Sequence, residues 1–251
     1  MNRIYKAFNM ALSMFTVIPL PKYEWDDKAA KDIMKLYPLI GLVVGLFWYL
    51  GFIILNKLHV NYLLMGAIIM AIPYFLTGFL HLDGFMDVCD ALLSRRTKEE
   101  KLRILKDSRV GAFSVIAVVL LLIIEFSGVY TILANGVNMK ILILIPIASR
   151  AISGYFIVSK EMLGESSLGK FFKNGTGKVD EAVLMGIYIF TIVLSFLIFG
   201  VDYAISILLM GIVAFLLLRK VNKEFGGING DVAGYILVLM EFTGIIALGI
   251  L

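Results

Sequence analysis

The chain contains 251 residues, of which 60% are hydrophobic and 17% are charged, and its mean hydropathy is +0.93. A soluble domain carries about 25% charged residues, so the composition excludes an ordinary soluble protein. It predicts an all-α, polytopic transmembrane helical bundle with one integral membrane domain over residues 1–251. The formal net charge of +4 does not indicate nucleic-acid binding, because no basic soluble domain exists to carry it.

Residues 1–35 are predicted to form an amphipathic segment at the membrane interface. The apolar stretch that ends at Leu20 resembles a signal peptide, but no Ala-x-Ala-like cleavage site follows it. It is also shorter than the ~20 residues of a spanning helix. Residues 36–251 are predicted to form about seven spans, at residues 36–55, 61–80, 110–133, 139–158, 181–199, 203–218 and 232–251.

The distribution of Lys and Arg predicts the orientation of these spans. Of the 23 basic residues, six lie in residues 1–35, seven in 94–109, four in 159–180 and three in 219–231, whereas the alternate loops contain only Lys57 and Lys140. Short cytoplasmic loops retain positive charge, so we expect a cytoplasmic N-terminus and an external C-terminus. A cell-membrane protein of this kind would present one basic, cytoplasmic face to anionic membrane lipids and anionic substrates. The sequence leaves the oligomeric state open.

An acidic stripe follows the second predicted span. Asp83, Asp87 and Asp90 are spaced by four and three residues, so in a helix they lie within about 60° of its circumference. Carboxylates this close repel one another near the bilayer unless a cation lies among them, and hard divalent cations prefer carboxylate oxygens. The stripe therefore predicts a magnesium site. The alternative is a solvated helix end at which the chain leaves the membrane.

The helical pattern around this stripe runs from about residue 61 to 93, which is longer than the ~30 Å hydrocarbon core requires. Its second half is therefore expected either to protrude or to break at Asp83–Gly84. Metal-binding carboxylates beside Lys and Arg are typical of sites that handle phosphate groups. Basic residues and a further carboxylate follow at Arg95, Lys106, Asp107 and Arg109.

Two glycine-rich segments lie on the same predicted face. Residues 164–170 resemble a nucleotide-binding P-loop, but Phe171 replaces the metal-binding Ser or Thr and no strand precedes the segment. An ordinary solvated loop is the simpler interpretation, and Lys170, Lys173 and Lys178 are candidates for phosphate contacts.

The second glycine-rich segment, residues 226–231, leads directly into the last span. Free backbone N–H groups at such a helix start bind an anion or a capping side chain. Asn229 and Asp231 are therefore either caps or site residues, and Gly230 is expected to combine a positive φ with close approach of a phosphate.

Three ionisable residues lie within the predicted spans: Glu125, Arg150 and Glu241. Each is costly in hydrocarbon. Arg150 is expected either to reach substrate phosphates or to pair with a buried carboxylate, for which Glu241 is the better candidate. Glu125 is expected to face the outer half of the membrane.

The order of motifs resembles the cobalamin synthase family, also called adenosylcobinamide-GDP ribazoletransferase, along the whole chain. Ala91 and Asn229 depart from residues frequent in that family, which often has Gly and Thr at these two positions. The motifs that carry the resemblance are Phe15–Pro21, Tyr37–Gly41, His81–Gly84 with Asp87 and Asp90, Lys106–Phe113, and Gly226–Asp231 followed by Gly234 and Glu241.

The resemblance implies transfer of the adenosylcobinamide-phosphoryl group from adenosylcobinamide-GDP to α-ribazole or its phosphate, with release of GMP. Attack of a hydroxyl on a pyrophosphate develops negative charge that metal ions stabilise. Asp83, Asp87 and Asp90 would then hold one or two Mg²⁺, and Asp107 would be a further ligand or the catalytic base. Candidate substrate-binding residues are Lys106, Arg109, Arg95, Arg150, Asn229, Asp231 and Gly230.

Two other functions are open. A CDP-alcohol phosphotransferase shares the spacing of Asp87, Asp90 and Arg95, but the later Gly-x-x-x-Asp-x-x-x-Asp motif of that family has no counterpart here. A cation transporter would need carboxylates near the bilayer midplane and along a path between the faces. Most carboxylates of this chain instead cluster at one face.

Overall fold

The computed structural model describes residues 2–20, 25–107, 109–163, 172 and 176–251. Within these residues, an isolated parallel bridge between Met162 and Ile228 is the only extended pairing, so the predicted all-α fold is confirmed. The helices are α1 (Arg3–Phe15), α2 (Asp27–Ala30), α3 (Ile33–Lys57), α4 (Tyr62–Leu76), α5 (Leu80–Leu93), α6 (Lys98–Ile104), α7 (Ala112–Ala134), α8 (Ile141–Ser159), α9 (Lys178–Phe199), α10 (Val201–Phe225) and α11 (Gly230–Ile250).

Among the described residues, six helices are long and apolar enough to cross a membrane: α3, α7, α8, α9, α10 and α11. The count becomes seven when the bent pair of α4 and α5 is taken as one span, which agrees with the predicted number. α10 continues to Phe225 rather than ending at residue 218, because a helix that carries Arg219, Lys220 and Lys223 can extend past the hydrocarbon into the polar head-group region.

The second predicted span is interrupted, and the predicted position of the break was wrong. α4 ends at Leu76 and α5 begins at Leu80 with a bend of 92°, whereas Asp83 and Gly84 lie inside α5. Gly78 and Phe79 both have a φ of 59°, and the Phe79 N–H donates to the Tyr74 carbonyl over 2.9 Å, a bond that closes helix C-termini. The left-handed residues, rather than the acidic stripe, therefore end the span.

Helices α8 and α11 form the centre of the bundle, and most of their residues are buried. α8 packs closely against α3, where Gly41 and Gly45 are one helical turn apart. A Cβ atom on Gly45 would lie 2.6 Å from the carbonyl oxygen of Ile143, and one on Gly41 would overlap the Pro146 carbonyl. Small residues at this spacing let two membrane helices approach through their backbones.

The N-terminal segment folds against the start of α3. α1 buries Ala7, Met10 and Ala11 and packs against α2 and α3. An ion pair of 2.6 Å joins the Arg3 Nε to an Asp32 carboxylate oxygen. With 13 residues, α1 is about 20 Å long, which is too short to cross a bilayer and is consistent with an interfacial position.

Candidate active site

The three carboxylates of the acidic stripe line one small cleft. Asp83, Asp87 and Asp90 all lie on α5 and form one wall. The opposite wall comes from α6, the connector after it and the first turn of α7, and comprises Ile104, Asp107, Arg109, Val110, Gly111 and Ser114. The cleft thus brings together four predicted aspartates and one predicted arginine.

The connector between α6 and α7 is held by contacts at both ends. α6 has a capping box of Thr97 and Glu100 at its start, and its Lys101 ammonium pairs with Glu224 near the end of α10. Ser114 Oγ donates to the Gly111 carbonyl over 2.6 Å at the start of α7. These local bonds fix the segment that carries Asp107 and Arg109 opposite α5.

Asp107 and Arg109 form a bidentate ion pair. Arg109 Nη2 donates to Asp107 Oδ2 over 2.6 Å and Arg109 Nε donates to Oδ1 over 3.0 Å. These bonds lower the pKa of Asp107 to about 2. Asp107 is therefore ionised throughout the neutral pH range. The Arg109 side chain itself remains 87% exposed, so its outer surface is accessible to an anion.

Gly111 is a site residue that the sequence reasoning included in a motif but did not select. A Cβ atom at this position would overlap the carboxylate oxygens of Asp90. A side chain at this position would therefore displace the Asp90 carboxylate from its place against the start of α7. The signal available in the sequence was the position of Gly111 directly before the apolar run of α7.

The donor chemistry of the cleft fits a hard divalent cation. Its acidic groups are all carboxylates, which Mg²⁺ prefers, and its volume of about 20 Å³ is sufficient for one water-sized occupant. Within the described residues, however, no three Asp, Glu, His or Cys side chains converge closely enough to coordinate a common ion. The magnesium prediction therefore rests on the donor set rather than on a preformed coordination shell.

The start of α11 lies against the back of α5. A Cβ atom on Gly84 would lie 2.8 Å from the Asp231 Cα. Asn229 caps α11, because its Oδ1 accepts from the Val232 N–H over 2.9 Å, while its Nδ2 donates to Asp231 Oδ2 over 2.8 Å. Asn229 and Asp231 were each predicted to be either a helix cap or a site residue. Asn229 is the cap of α11, and Asp231 is not.

The expected positive φ of Gly230 was wrong, because Gly230 is the first residue of α11 and Gly226 has the left-handed φ of 92°. The segment before α11 is held by the chain after α8: the Leu163 N–H donates to the Ile228 carbonyl over 2.7 Å, and the Ile228 N–H donates to the Glu161 carbonyl over 3.0 Å. Gly226, rather than Gly230, therefore has the left-handed backbone conformation in this segment.

Six of the seven predicted substrate-binding residues do not line the cleft, and two of these six, Gly230 and Asp231, line a separate cavity instead. Arg95 is exposed with a φ of 54°, and Lys106 is exposed on the α6–α7 connector. Arg150 is 1% exposed, and its Nη1 donates to Glu241 Oε1 over 2.5 Å. The alternative expectation for Arg150, a buried carboxylate partner, is therefore the one that the structure contains.

Glu125 is buried inside the bundle, and its predicted position in the outer half of the membrane stays a prediction. It is 2% exposed and accepts a 2.5 Å hydrogen bond from the Tyr74 hydroxyl. The P-loop-like segment 164–170, together with Phe171 and Lys173, lies outside the described residues. Lys178 begins α9 and is exposed.

The fold and the cleft define a multi-pass, all-helical membrane protein with four carboxylates in one cleft between α5 and the connector from α6 to α7. The sequence profile of the cobalamin-5-phosphate synthase family matches residues 7–249. The chain belongs to this family.

Relatives of known name cover nearly the whole chain. A protein of Clostridium perfringens strain SM101 is 68% identical over 100% of both chains, and one of Clostridium botulinum strain Alaska E43 is 50% identical over 98% of this chain and 97% of its own. A protein of Lachnoclostridium phytofermentans is 32% identical over 92% and 88%. All three are named adenosylcobinamide-GDP ribazoletransferase. No solved structure matches the chain.

Proposed function

We propose that the protein transfers the adenosylcobinamide-phosphoryl group from adenosylcobinamide-GDP to α-ribazole or its phosphate, releasing GMP and forming adenosylcobalamin or its phosphate. Membership of the cobalamin-5-phosphate synthase family and the names of the close relatives support this reaction. The structural observation that carries the proposal is the cleft in which Asp83, Asp87, Asp90 and Asp107 face Arg109. Such a site suits attack on a phosphoanhydride, whose transition state develops negative charge.

Asp83, Asp87 and Asp90 are assigned to hold Mg²⁺ in this cleft. When bound, Mg²⁺ would neutralise charge on the phosphate oxygens and on the leaving GMP. Asp107 was a candidate for either a ligand or the base that takes the acceptor proton. A carboxylate whose pKa is about 2 is a weak base at neutral pH. We therefore assign Asp107 to charge and positioning within the cleft.

Cationic residues around the cleft are assigned to the phosphates of the donor. Arg109 presents an exposed guanidinium at the cleft wall, and Arg95 and Lys106 are exposed nearby in the chain. A planar guanidinium suits phosphate oxygens better than a single ammonium does. Arg150 is not assigned to substrate, because its guanidinium is buried against Glu241.

The active site is proposed to face the cytoplasm from the cell membrane. The Lys and Arg excess on the side that carries residues 94–109 supports this orientation. Cysteines introduced at Lys98 and Glu224 should be labelled from the cytoplasm, and one at Gly136 from outside. The native Cys89 is buried, which keeps the background low. Labelling of position 98 from outside intact cells would contradict the orientation.

The reaction is tested with detergent-purified protein, adenosylcobinamide-GDP, α-ribazole and Mg²⁺. GMP and a cobalamin should form together, and EDTA should stop both. CDP-diacylglycerol with an alcohol acceptor should yield no CMP. If CMP forms from the lipid donor while adenosylcobinamide-GDP stays intact, the CDP-alcohol phosphotransferase alternative replaces the proposal. A cation transporter would move ions across vesicles and release no GMP.

A further inference from the structure

A second cavity lies behind the acidic helix, among α1, α3, α5, α8 and α11. Its volume is about 360 Å³, and three of its wall residues form an aromatic cluster. The rings of Phe15 and Tyr37 are 4.5 Å apart, and those of Phe15 and His81 are stacked at 6.5 Å. The Tyr37 hydroxyl and His81 Nε2 share a 3.3 Å hydrogen bond. The cavity therefore has an aromatic wall in which Tyr37 and His81 already bond to each other.

The cavity lies next to the reacting groups. Gly230 and Asp231 of α11 contribute to its wall, and the Asp231 carboxyl interacts electrostatically with Asp83 of the acidic stripe. The close approach of Gly84 to the Asp231 backbone leaves little protein between the cavity and the cleft. The cavity and the cleft share no wall residue, so a molecule bound in the cavity would approach the acidic stripe at Asp231, the wall residue that interacts with Asp83.

We infer that this cavity binds the base of the acceptor nucleoside, the methylated benzimidazole of α-ribazole, so that its ribose hydroxyls point toward the acidic cleft. The inference rests on the proposed function. Ligand pockets usually range from about 300 to 1,000 Å³, so this cavity suits a nucleoside and is too small for a corrinoid ring. A flat, largely apolar bicyclic base matches walls of Met14, Phe15 and Ile157.

The guanine base of the donor fits the same space less well. Its edge carries several hydrogen-bond donors and acceptors, which would lose water on entering the cavity. Tyr37 and His81 are engaged with each other. The carboxylate of Asp231 is the other polar side chain of the wall, and one of its two oxygens already accepts from Asn229, so the described wall residues replace only part of that water. A methylated benzimidazole has few such groups and therefore loses little on burial.

Two variants test the inference from opposite directions. Gly230→Leu would fill the cavity, because a Cβ atom at Gly230 has no other atom within 4 Å. Phe15→Ala would remove one aromatic wall. Phe47→Ala is the matched control, since Phe47 is an exposed aromatic residue in a separate groove between α3 and α4.

The measurements are the KM for each substrate, kcat, and equilibrium dialysis of α-ribazole alone against detergent-purified protein. Phe15→Ala should raise the acceptor KM and dissociation constant about tenfold, as expected for a lost aromatic contact, and Gly230→Leu should raise both at least as much, because its side chain would occupy the space of the base. The KM for adenosylcobinamide-GDP should stay within about twofold, and Phe47→Ala should match the wild type. A rise in the acceptor KM with an unchanged donor KM would not arise from a general loss of folding.

Three results would overturn the inference. A rise in the donor KM with an unchanged acceptor KM would assign the cavity to the guanosine end of the donor. Unchanged affinity for α-ribazole in both variants would leave it as a lipid or detergent site. Both results presuppose a wild-type protein that releases GMP, so they leave the proposed function intact. A wild type that forms no cobalamin would instead refute the proposed function and this inference with it.

Discussion

Ionisable side chains occupy two regions of this apolar chain, and the two regions differ in how charge is balanced. Inside the bundle, Arg150 is paired with Glu241, to which Ser149 also donates a 2.7 Å hydrogen bond, and Glu125 accepts from Tyr74. On α5, by contrast, Asp83, Asp87 and Asp90 form no ion pair with any Lys or Arg in the part of the chain that the structure describes.

The difference separates stabilising charge from charge that is available to a ligand. A buried ion can be tolerated only when a partner and hydrogen bonds compensate its desolvation. Arg150 and Glu241 have each other and the Ser149 hydroxyl, although Arg150 Nε has no partner in the described part of the chain, and Glu125 has the Tyr74 hydroxyl. The acidic stripe instead places three like charges in one cleft. The arginine of that cleft, Arg109, is paired with Asp107 and not with the stripe. An external cation would complete that balance, which is why we assign catalysis to the stripe and stability to the interior.

The largest effect is expected from removing single charges of the acidic stripe. Asp83→Asn, Asp87→Asn and Asp90→Asn each keep the side-chain size, so insertion and yield should be unchanged. Mg²⁺-dependent GMP release should fall by about 100-fold or more, by analogy with the loss of a preorganised charge in other active sites. Near-normal activity in two of the three variants would return the stripe to a solvated helix end.

The interior ion pair should respond in stability rather than in chemistry. Arg150→Met leaves Glu241 buried without its cation and should lower the free energy of unfolding by about 3–5 kcal/mol. The double variant Arg150→Met with Glu241→Leu should recover much of this loss. Thermal unfolding in detergent measures both. If Arg150→Met is as stable as the wild type but binds adenosylcobinamide-GDP weakly, Arg150 belongs to the substrate site after all.

A smaller effect is expected at the contact between the two walls of the cleft. Gly111→Ala would place a methyl group against the Asp90 carboxylate. The carboxylate can rotate away, so unfolding should change little, but turnover should fall about tenfold because a charged group in the site is misplaced. Gly186→Ala is the control, since a Cβ atom there has no neighbour within 4 Å. Equal kinetics for the two variants would exclude Gly111 from the site.

The smallest effect is expected for the pH dependence of the Arg109→Gln variant relative to the wild type. Because Arg109 holds the pKa of Asp107 at about 2, this carboxyl stays charged as pH rises from acidic to basic values and loses its charge only when the pH falls toward 2. The ratio of wild-type to Arg109→Gln kcat/KM should therefore be constant between about pH 5.5 and 8.5, because even an unperturbed Asp, with a pKa near 3.9, is ionised there. A ratio that changes tenfold over this range would contradict this expectation and show that a carboxyl group of the cleft titrates during catalysis.

Most of the architecture could be predicted because membrane spans follow directly from apolar length, and the acidic stripe follows from helical spacing. The break after α4 was placed wrongly, since the sequence around Asp83–Gly84 suggested a turn while the left-handed backbone lies at Gly78 and Phe79. Phe79 gives no local signal for such a conformation, which is rare for bulky residues. The break depends on how α5 packs against α7 and α11.

The site was predicted in part for a related reason. Asp107 and Arg109 are close in sequence to α7, so their approach to α5 follows from one short connection. The position of Arg150 depended on which neighbour its helix faces, and Glu241 is 91 residues away along the chain. Gly111 acts through the absence of a side chain against Asp90, a contact that no spacing pattern within one helix can indicate.

The most direct test of the contrast is cation binding itself. Mn²⁺ can be titrated into detergent-purified protein and its bound fraction followed by electron paramagnetic resonance, with Mg²⁺ as competitor. The account predicts that the wild type and Glu125→Gln bind Mn²⁺ in competition with Mg²⁺, and that Asp87→Asn loses this binding. Equal Mn²⁺ affinity in Asp87→Asn and the wild type would contradict it, because the unpaired carboxylates of α5 would then not be the cation site.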